Sequence, residues 1–145
     1  MTNLSVWVAG RPAAQGSKKH IGHGRMVESS KYVGPWREHI ANAVRTQPLA
    51  VRRLWPLQGP VQVRLSFVMP RPVNTPKRST PPAVKKPDGD KLERAVWDAL
   101  SKAGVWRDDA QVTVWSGSKR IAEIGEASGV LIEVAAVGVE LTEAA

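Results

Sequence analysis

The stretch KKPDGDKLERAVWDALSKAGVWRDDAQV, Lys85 to Val112, sets Asp88 and Asp90 before one helical pattern and Asp108 and Asp109 after it. Carboxylates gathered in this way point to a divalent cation. Mg²⁺ takes oxygen ligands, commonly one or two carboxylates completed by water and substrate phosphates. An ion held so can generate hydroxide and offset charge during in-line phosphodiester hydrolysis. Asp88 and Asp90 are two apart, and in an extended segment such side chains share a face. Asp90 also stands where a helix N-cap would stand, and aspartate caps well. Capping explains neither Asp88 nor the Asp108–Asp109 pair. Arg94, one turn after Asp90, is either its ion-pair partner or a cation that neutralises a phosphate in the transition state. Glu93 reads as a solvated helix face, with assistance at the metal as the alternative.

The charge distribution supplies a reason for the carboxylates. The chain carries 21 Lys/Arg and 13 Asp/Glu, a formal net charge of +8. Residues 1–86 hold 15 basic and 2 acidic residues; residues 87–145 hold 6 and 11. A basic excess of this size selects a polyanionic partner, with nucleic acid first. Solubility charge on an ordinary surface is the plainer alternative, and the uneven split argues against it. A carboxylate cluster would repel such a partner unless a cation reversed the sign. The basic residues placed to meet phosphates are Lys18, Lys19, Arg25, Lys77, Arg78, Lys85, Lys86 and Lys91.

The elements that must position these groups follow from periodicity. Leu4, Val6 and Val8 alternate as a strand. Residues 10–29 are Gly-rich, basic and without period, which predicts a loop. Trp36, Ile40, Ala43 and Val44 lie at helical spacing behind Pro35, a good first-turn residue. Three prolines in 46–60 mark a connection. Val61, Val63, Leu65, Phe67 and Met69 share one face of the clearest strand. Residues 70–87 hold six prolines and five basic residues, which predicts a flexible basic loop. A helix then runs from about Asp90 to Ala103, with Leu92, Val96, Ala99 and Ala103 as its stripe, and Gly104 stops it. Two strands complete the chain. This order predicts a single α+β domain over 1–145, a mainly antiparallel sheet with two main helices packed on it.

One constraint is geometric. The helix is about 21 Å long, and Gly104 to Asp109 can span at most about 20 Å. Asp109 meets Asp90 within one subunit only if that connection runs straight back along the helix. Otherwise the helix is shorter, or the site is shared between subunits.

Other residues read more plainly. His20 and His23, in a HIGH sequence, read as loop residues near DNA, with a direct catalytic role as the alternative, and His39 is packing or surface. Trp36, Trp97 and Trp106 read as core or dimer-interface residues, with base stacking at a junction centre as the alternative. No cysteine is present, which excludes disulfides, thiolate zinc sites and a cysteine nucleophile and suits a reducing cytoplasm. No signal peptide and no membrane span of ~18–20 apolar residues is expected.

The block PDGDKLERAVWDALSKAGVWRDDAQV resembles the RusA family of Holliday-junction resolving endonucleases. The family pattern is aspartate-x-aspartate, a helix with a basic residue one turn on, a DAL…G helix end and a DDAQV run into a strand. The early GRPAAQGSKKH…GRMVESSKYVGPWREHI looks like phage members of that family, and the likeness spans roughly residues 5–135. The resemblance implies a small α+β homodimer in a bacterial cell, cutting four-way DNA junctions with Mg²⁺, or with Mn²⁺ in its place, by paired nicks. It implies Asp88, Asp90 and Asp109 as catalytic metal ligands, with Asp108 a less critical neighbour. Arg94 stands where the family usually has a functional lysine, and Lys91 where an asparagine is common. Arg and Lys are not interchangeable at close quarters.

Two other functions fit the same residues. One is a basic DNA-binding accessory protein without catalysis, its aspartates serving as caps. The other keeps the chemistry but acts on general branched DNA or replication forks.

Overall fold

A computed structural model describes residues 3–16, 18–20, 26–28 and 31–141. Among these residues there are six strands: β1 (Leu4–Ala9), β2 (Lys18–His20), β3 (Met26–Glu28), β4 (Val61–Met69), β5 (Val112–Ile121) and β6 (Gly129–Ala136). Three helices accompany them: α1 (Val33–Arg45), a single turn α2 (Leu49–Arg52) and α3 (Gly89–Ala103). β2 and β3 pair as a small antiparallel ribbon within the segment expected to be a loop, and α2 lies in the expected connection.

The main sheet has the order β1-β6-β4-β5. β1 pairs antiparallel with β6 and β6 antiparallel with β4, but β4 and β5 are parallel. The sheet is therefore mixed: two of its three pairings are antiparallel, in line with the expected mainly antiparallel sheet, and the parallel β4–β5 pair is the departure. The physical reason is the connection: parallel neighbours need a crossover, and the proline segment with α3 provides it. β5 and β6 are consecutive in the chain, yet β4 lies between them.

One face of the sheet carries the core. Leu4, Val6 and Val8 of β1 and the five alternating residues of β4 are buried there with Ile132 and Val134 of β6. The helices cover that face. α1 contributes Val33, Trp36, Ile40 and Val44; α3 contributes Leu92, Val96, Ala99 and Leu100. Ala43 is only partly buried, at the margin of the α1 face. Gly104 ends α3 in the left-handed region at φ 85°, a conformation glycine adopts without a Cβ penalty. On the other face, Arg64 and Glu133 stand opposite each other across β4 and β6. Their two hydrogen bonds of 2.9 Å satisfy the buried carboxylate.

α3 also leans on β5. Trp97 meets Trp115 edge-on at 5.8 Å. Gly117 leaves room for the Glu93 carboxylate, which a Cβ at that position would displace. The proline segment is closed by Arg71, whose guanidinium donates to Thr80 Oγ1, Pro76 O and Ser79 O at 2.7–2.8 Å and to Ala122 O at 3.3 Å.

The β5–β6 turn is held by Arg120, which bonds both carboxylate oxygens of Glu126 at 2.6 Å. These bonds, with help from the Glu123 N–H, lower the Glu126 pKa from 4.5 to about 2. A depressed carboxylate pKa stabilises the fold above the unfolded-state value and ceases to do so as pH falls through the folded value. Glu126→Gln should thus lower Tm at pH 7, by a small amount because the pair is exposed. The deficit should shrink as pH falls from 4.5 to about 2. Thermal melts of both proteins across that range check it.

Candidate active site

α3 begins one residue earlier than its apolar period requires, and this changes the roles of its first aspartates. The N-cap is Asp88, in extended conformation, while Asp90 lies in the first turn. The expectation of Asp90 as cap is thus corrected: Gly89 is already helical, and the cap moves back to Asp88. The Asp88 side chain makes no capping hydrogen bond. Both carboxylates are exposed at the start of α3. Arg94 is exposed one turn on, and the described residues show no ion pair between it and Asp90. Glu93 is half-buried. Its pKa is raised first by that burial and then by the charge of Asp90.

The approach to Asp88 is fixed from β5. Lys119 Nζ donates to Pro87 O at 2.8 Å and to Lys85 O at 2.9 Å. On the opposite side, Gln15 N donates to Lys91 O at 3.1 Å, and the Gln15 side chain accepts from Arg37 at 2.9 Å. The segment after β1 is thereby tied to the first turn of α3. Between them opens a cavity of about 910 Å³, bordered by Arg11, Tyr32, Trp36, Lys86, Asp88 and Lys91. Arg11, Pro12, Lys86 and Pro87 also line a second cavity of about 500 Å³ beneath the proline segment.

The second aspartate pair is elsewhere. Asp108 caps a 3₁₀ turn (Asp109–Gln111), its Oδ1 accepting from Ala110 N at 2.9 Å while Gln111 bonds back to Asp108 N. This occupation in the backbone gives Asp108 a structural duty that Asp109 lacks. Asp109 is half-buried. Its pKa is raised by burial, then by the hydrogen bond and charge of Asp108, then by the charge of Asp98. Its carboxylate neighbours are thus Asp108 and Asp98. Asp98 lies eight residues beyond Asp90 on α3, about 12 Å along the helix axis, and pairs with Arg37 at 3.7 Å.

The charges that act on Asp109 are thus those of Asp108 and Asp98, not those of Asp88 or Asp90. Among the described residues no group of three or more His, Asp or Glu side chains lies close enough to hold a metal ion. Asp88 and Asp90 could hold Mg²⁺ only as a two-carboxylate site completed by waters and substrate phosphates.

Of the basic residues, Lys77, Arg78, Lys85 and Lys86 are exposed on the proline segment, and Lys91 borders the larger cavity. Lys18 and Lys19 lie in β2, and Arg25 falls outside the described residues. Tyr32, Asp98 and Lys119 join the site without a spacing signal, because they come from three separate elements. Arg11 shows in the sequence only as one loop cation among several. His39 is engaged with the backbone, its Nε2 at 2.8 Å from Ala9 O.

A family model described as endodeoxyribonuclease RusA matches residues 9–135. The chain is 32% identical over 77 residues to the crossover junction endodeoxyribonuclease RusA of Escherichia coli strain K12. The same identity relates it to the proteins of that name from E. coli O1:K1 and strain UTI89. The match covers 53% of this chain and 51% of each relative. The chain thus spans about half the length of the curated relatives it matches.

Proposed function

The chain belongs to the RusA family of endodeoxyribonucleases, and on that premise we propose that it cuts four-way DNA junctions by hydrolysing phosphodiester bonds beside Asp88 and Asp90. The observation that carries this reading is the pair itself. Two exposed carboxylates stand at the start of α3, neither spent on a cap bond, with Lys86, Lys91 and Arg11 around them. A divalent cation bound by Asp88 and Asp90 would activate water and offset charge on the phosphate. Mg²⁺ is the proposed ion, with Mn²⁺ as its substitute.

The chain's own groups have distinct parts. Lys86, Lys91 and Arg11 hold phosphates on either side of the cut, and Lys77, Arg78 and Lys85 extend that contact along the proline segment. Such contacts position a duplex arm without reading sequence. Arg94 presents a guanidinium one turn from Asp90 and offsets charge that develops on the phosphate. Lys119 sets the approach of Asp88 through the Lys85 and Pro87 carbonyls.

We also propose that the working form is a homodimer. In one chain Asp109 keeps company with Asp98 and Asp108, so a second copy is the means to bring it to Asp88 and Asp90. β5 is one of the two outer strands of the sheet and exposes Val114 and Trp115 at 52% and 57%, an edge that pairing with another strand would cover. Twofold symmetry places equivalent strands of a junction at equivalent sites, which is the basis for paired nicks.

The test is cleavage of an end-labelled synthetic four-way junction with Mg²⁺, beside linear duplex of the same arms and beside EDTA. The expected result is paired nicks near the branch, in the junction only and with Mg²⁺ only. Tight binding without cutting under Mg²⁺ or Mn²⁺ would leave a DNA-binding accessory protein. Equal cutting of three-way and forked DNA would widen the substrate to branched DNA in general.

A further inference from the structure

We propose that the cavity between the end of β1, the start of α1 and the entry to α3 receives an unstacked nucleobase from the strand being cut. The inference rests on the junction-nuclease reading and adds to it a subsite for a base, where that reading needs only phosphates.

The cavity has the chemistry of a base site. At about 910 Å³ it falls within the usual range of small-molecule sites, roughly 300–1,000 Å³. Its lining is largely apolar. Trp36 lines the cavity but is only 5% exposed, its ring packed so closely on Gly10 that a Cβ there would stand 2.9 Å from Cζ3, so it backs the site and leaves stacking to Tyr32. Gly10 has φ 143°, a backbone conformation that side chains disfavour, so the sequence keeps this contact free. Tyr32 offers a second ring, 65% exposed despite its position at the N-cap of α1. The Lys31 ammonium lies 5.2 Å from the centroid of that ring.

The rim is cationic, from Arg11, Lys86 and Lys91, and Asp88 borders the same opening. Aromatic platforms beside a basic track are the general solution for holding bases of an unpaired strand, since every base has a π-face. Location points the same way. Asp88 borders the cavity, so a phosphate held there would set a neighbouring base near its opening. Removing a base from a continuous duplex costs stacking and pairing, and that cost is least where the stack is already broken. A base pocket beside the carboxylates would therefore favour branch points over uninterrupted duplex, which charge alone does not do.

The test is a double-mutant cycle between protein and DNA, read as equilibrium binding in EDTA, where no strand is cut. A four-way junction is prepared with an abasic nucleotide placed in turn at each position flanking the branch. Tyr32→Ala removes an exposed ring, and Tyr32→Phe retains it. At one position the abasic junction should bind wild type about tenfold more weakly. Tyr32→Ala should weaken binding of the intact junction by a similar factor and be indifferent to the abasic change there. Tyr32→Phe should behave as wild type. Losses that multiply, or no abasic position that weakens binding, would overturn the base pocket. Nothing is cut in this assay, so the two readings fail separately: absence of nuclease activity would sink the proposed function, while the binding cycle alone decides the pocket.

Discussion

Asp90→Asn is expected to slow junction cutting by about 10³-fold, roughly 4 kcal/mol of transition-state stabilisation, with junction binding within about threefold of wild type. The substitution keeps shape and removes one negative charge. Asp90 is exposed, and the capping position belongs to Asp88, so the fold loses little. The lost dipole interaction is worth about 0.3–1 kcal/mol. Single-turnover cutting with Mg²⁺, binding in EDTA and a thermal melt separate the possibilities. Cutting at wild-type rate would remove Asp90 from the chemistry. A collapse of the melt would show that its part is structural.

Mixing two inactive variants should restore cutting. With Asp90→Asn in one chain and Asp109→Asn in the other, a heterodimer whose sites are shared has one site with both lesions and one with neither. The intact site should nick one strand of a junction, at about half the wild-type number of nicks. If each site lies within one subunit, both sites of the heterodimer carry a lesion and the mixture stays as inactive as its parts. Co-expression with two different tags and purification through both gives the heterodimer directly. The expectation rests on Asp109, which is grouped with Asp98 and Asp108 rather than with Asp90. Recovery is all-or-none, so the measurement distinguishes the arrangements without a structure of the dimer.

The sequence by itself determined what depends on local pattern. The alternation of Val61 to Met69 records which face of β4 is buried, and the stripe from Leu92 to Leu100 does the same for α3. Gly104 marks the end of α3 because a left-handed residue is needed there. The carboxylates, the lack of cysteine and the basic first half were equally legible, since composition needs no fold. So was the limit on reach between Asp90 and Asp109, which followed from chain dimensions alone.

Tertiary structure decided the rest. A hydrophobic period says that a strand has a buried face but not which strand lies beside it. The parallel β4–β5 pair, and β6 between β1 and β4, therefore escaped the pattern. The same holds for the site. Asp88 as N-cap depends on where α3 begins, and it stands two positions before the cap that the sequence pattern predicts. Lys119 reaches Pro87 only because β5 lies alongside the entry to α3. The cavity takes walls from residues 9–16, 32–39 and 86–91, three segments that are local to nothing but each other in the folded chain. Long-range proximity of this kind is produced by burying the sheet under its helices, and no spacing along the chain encodes it.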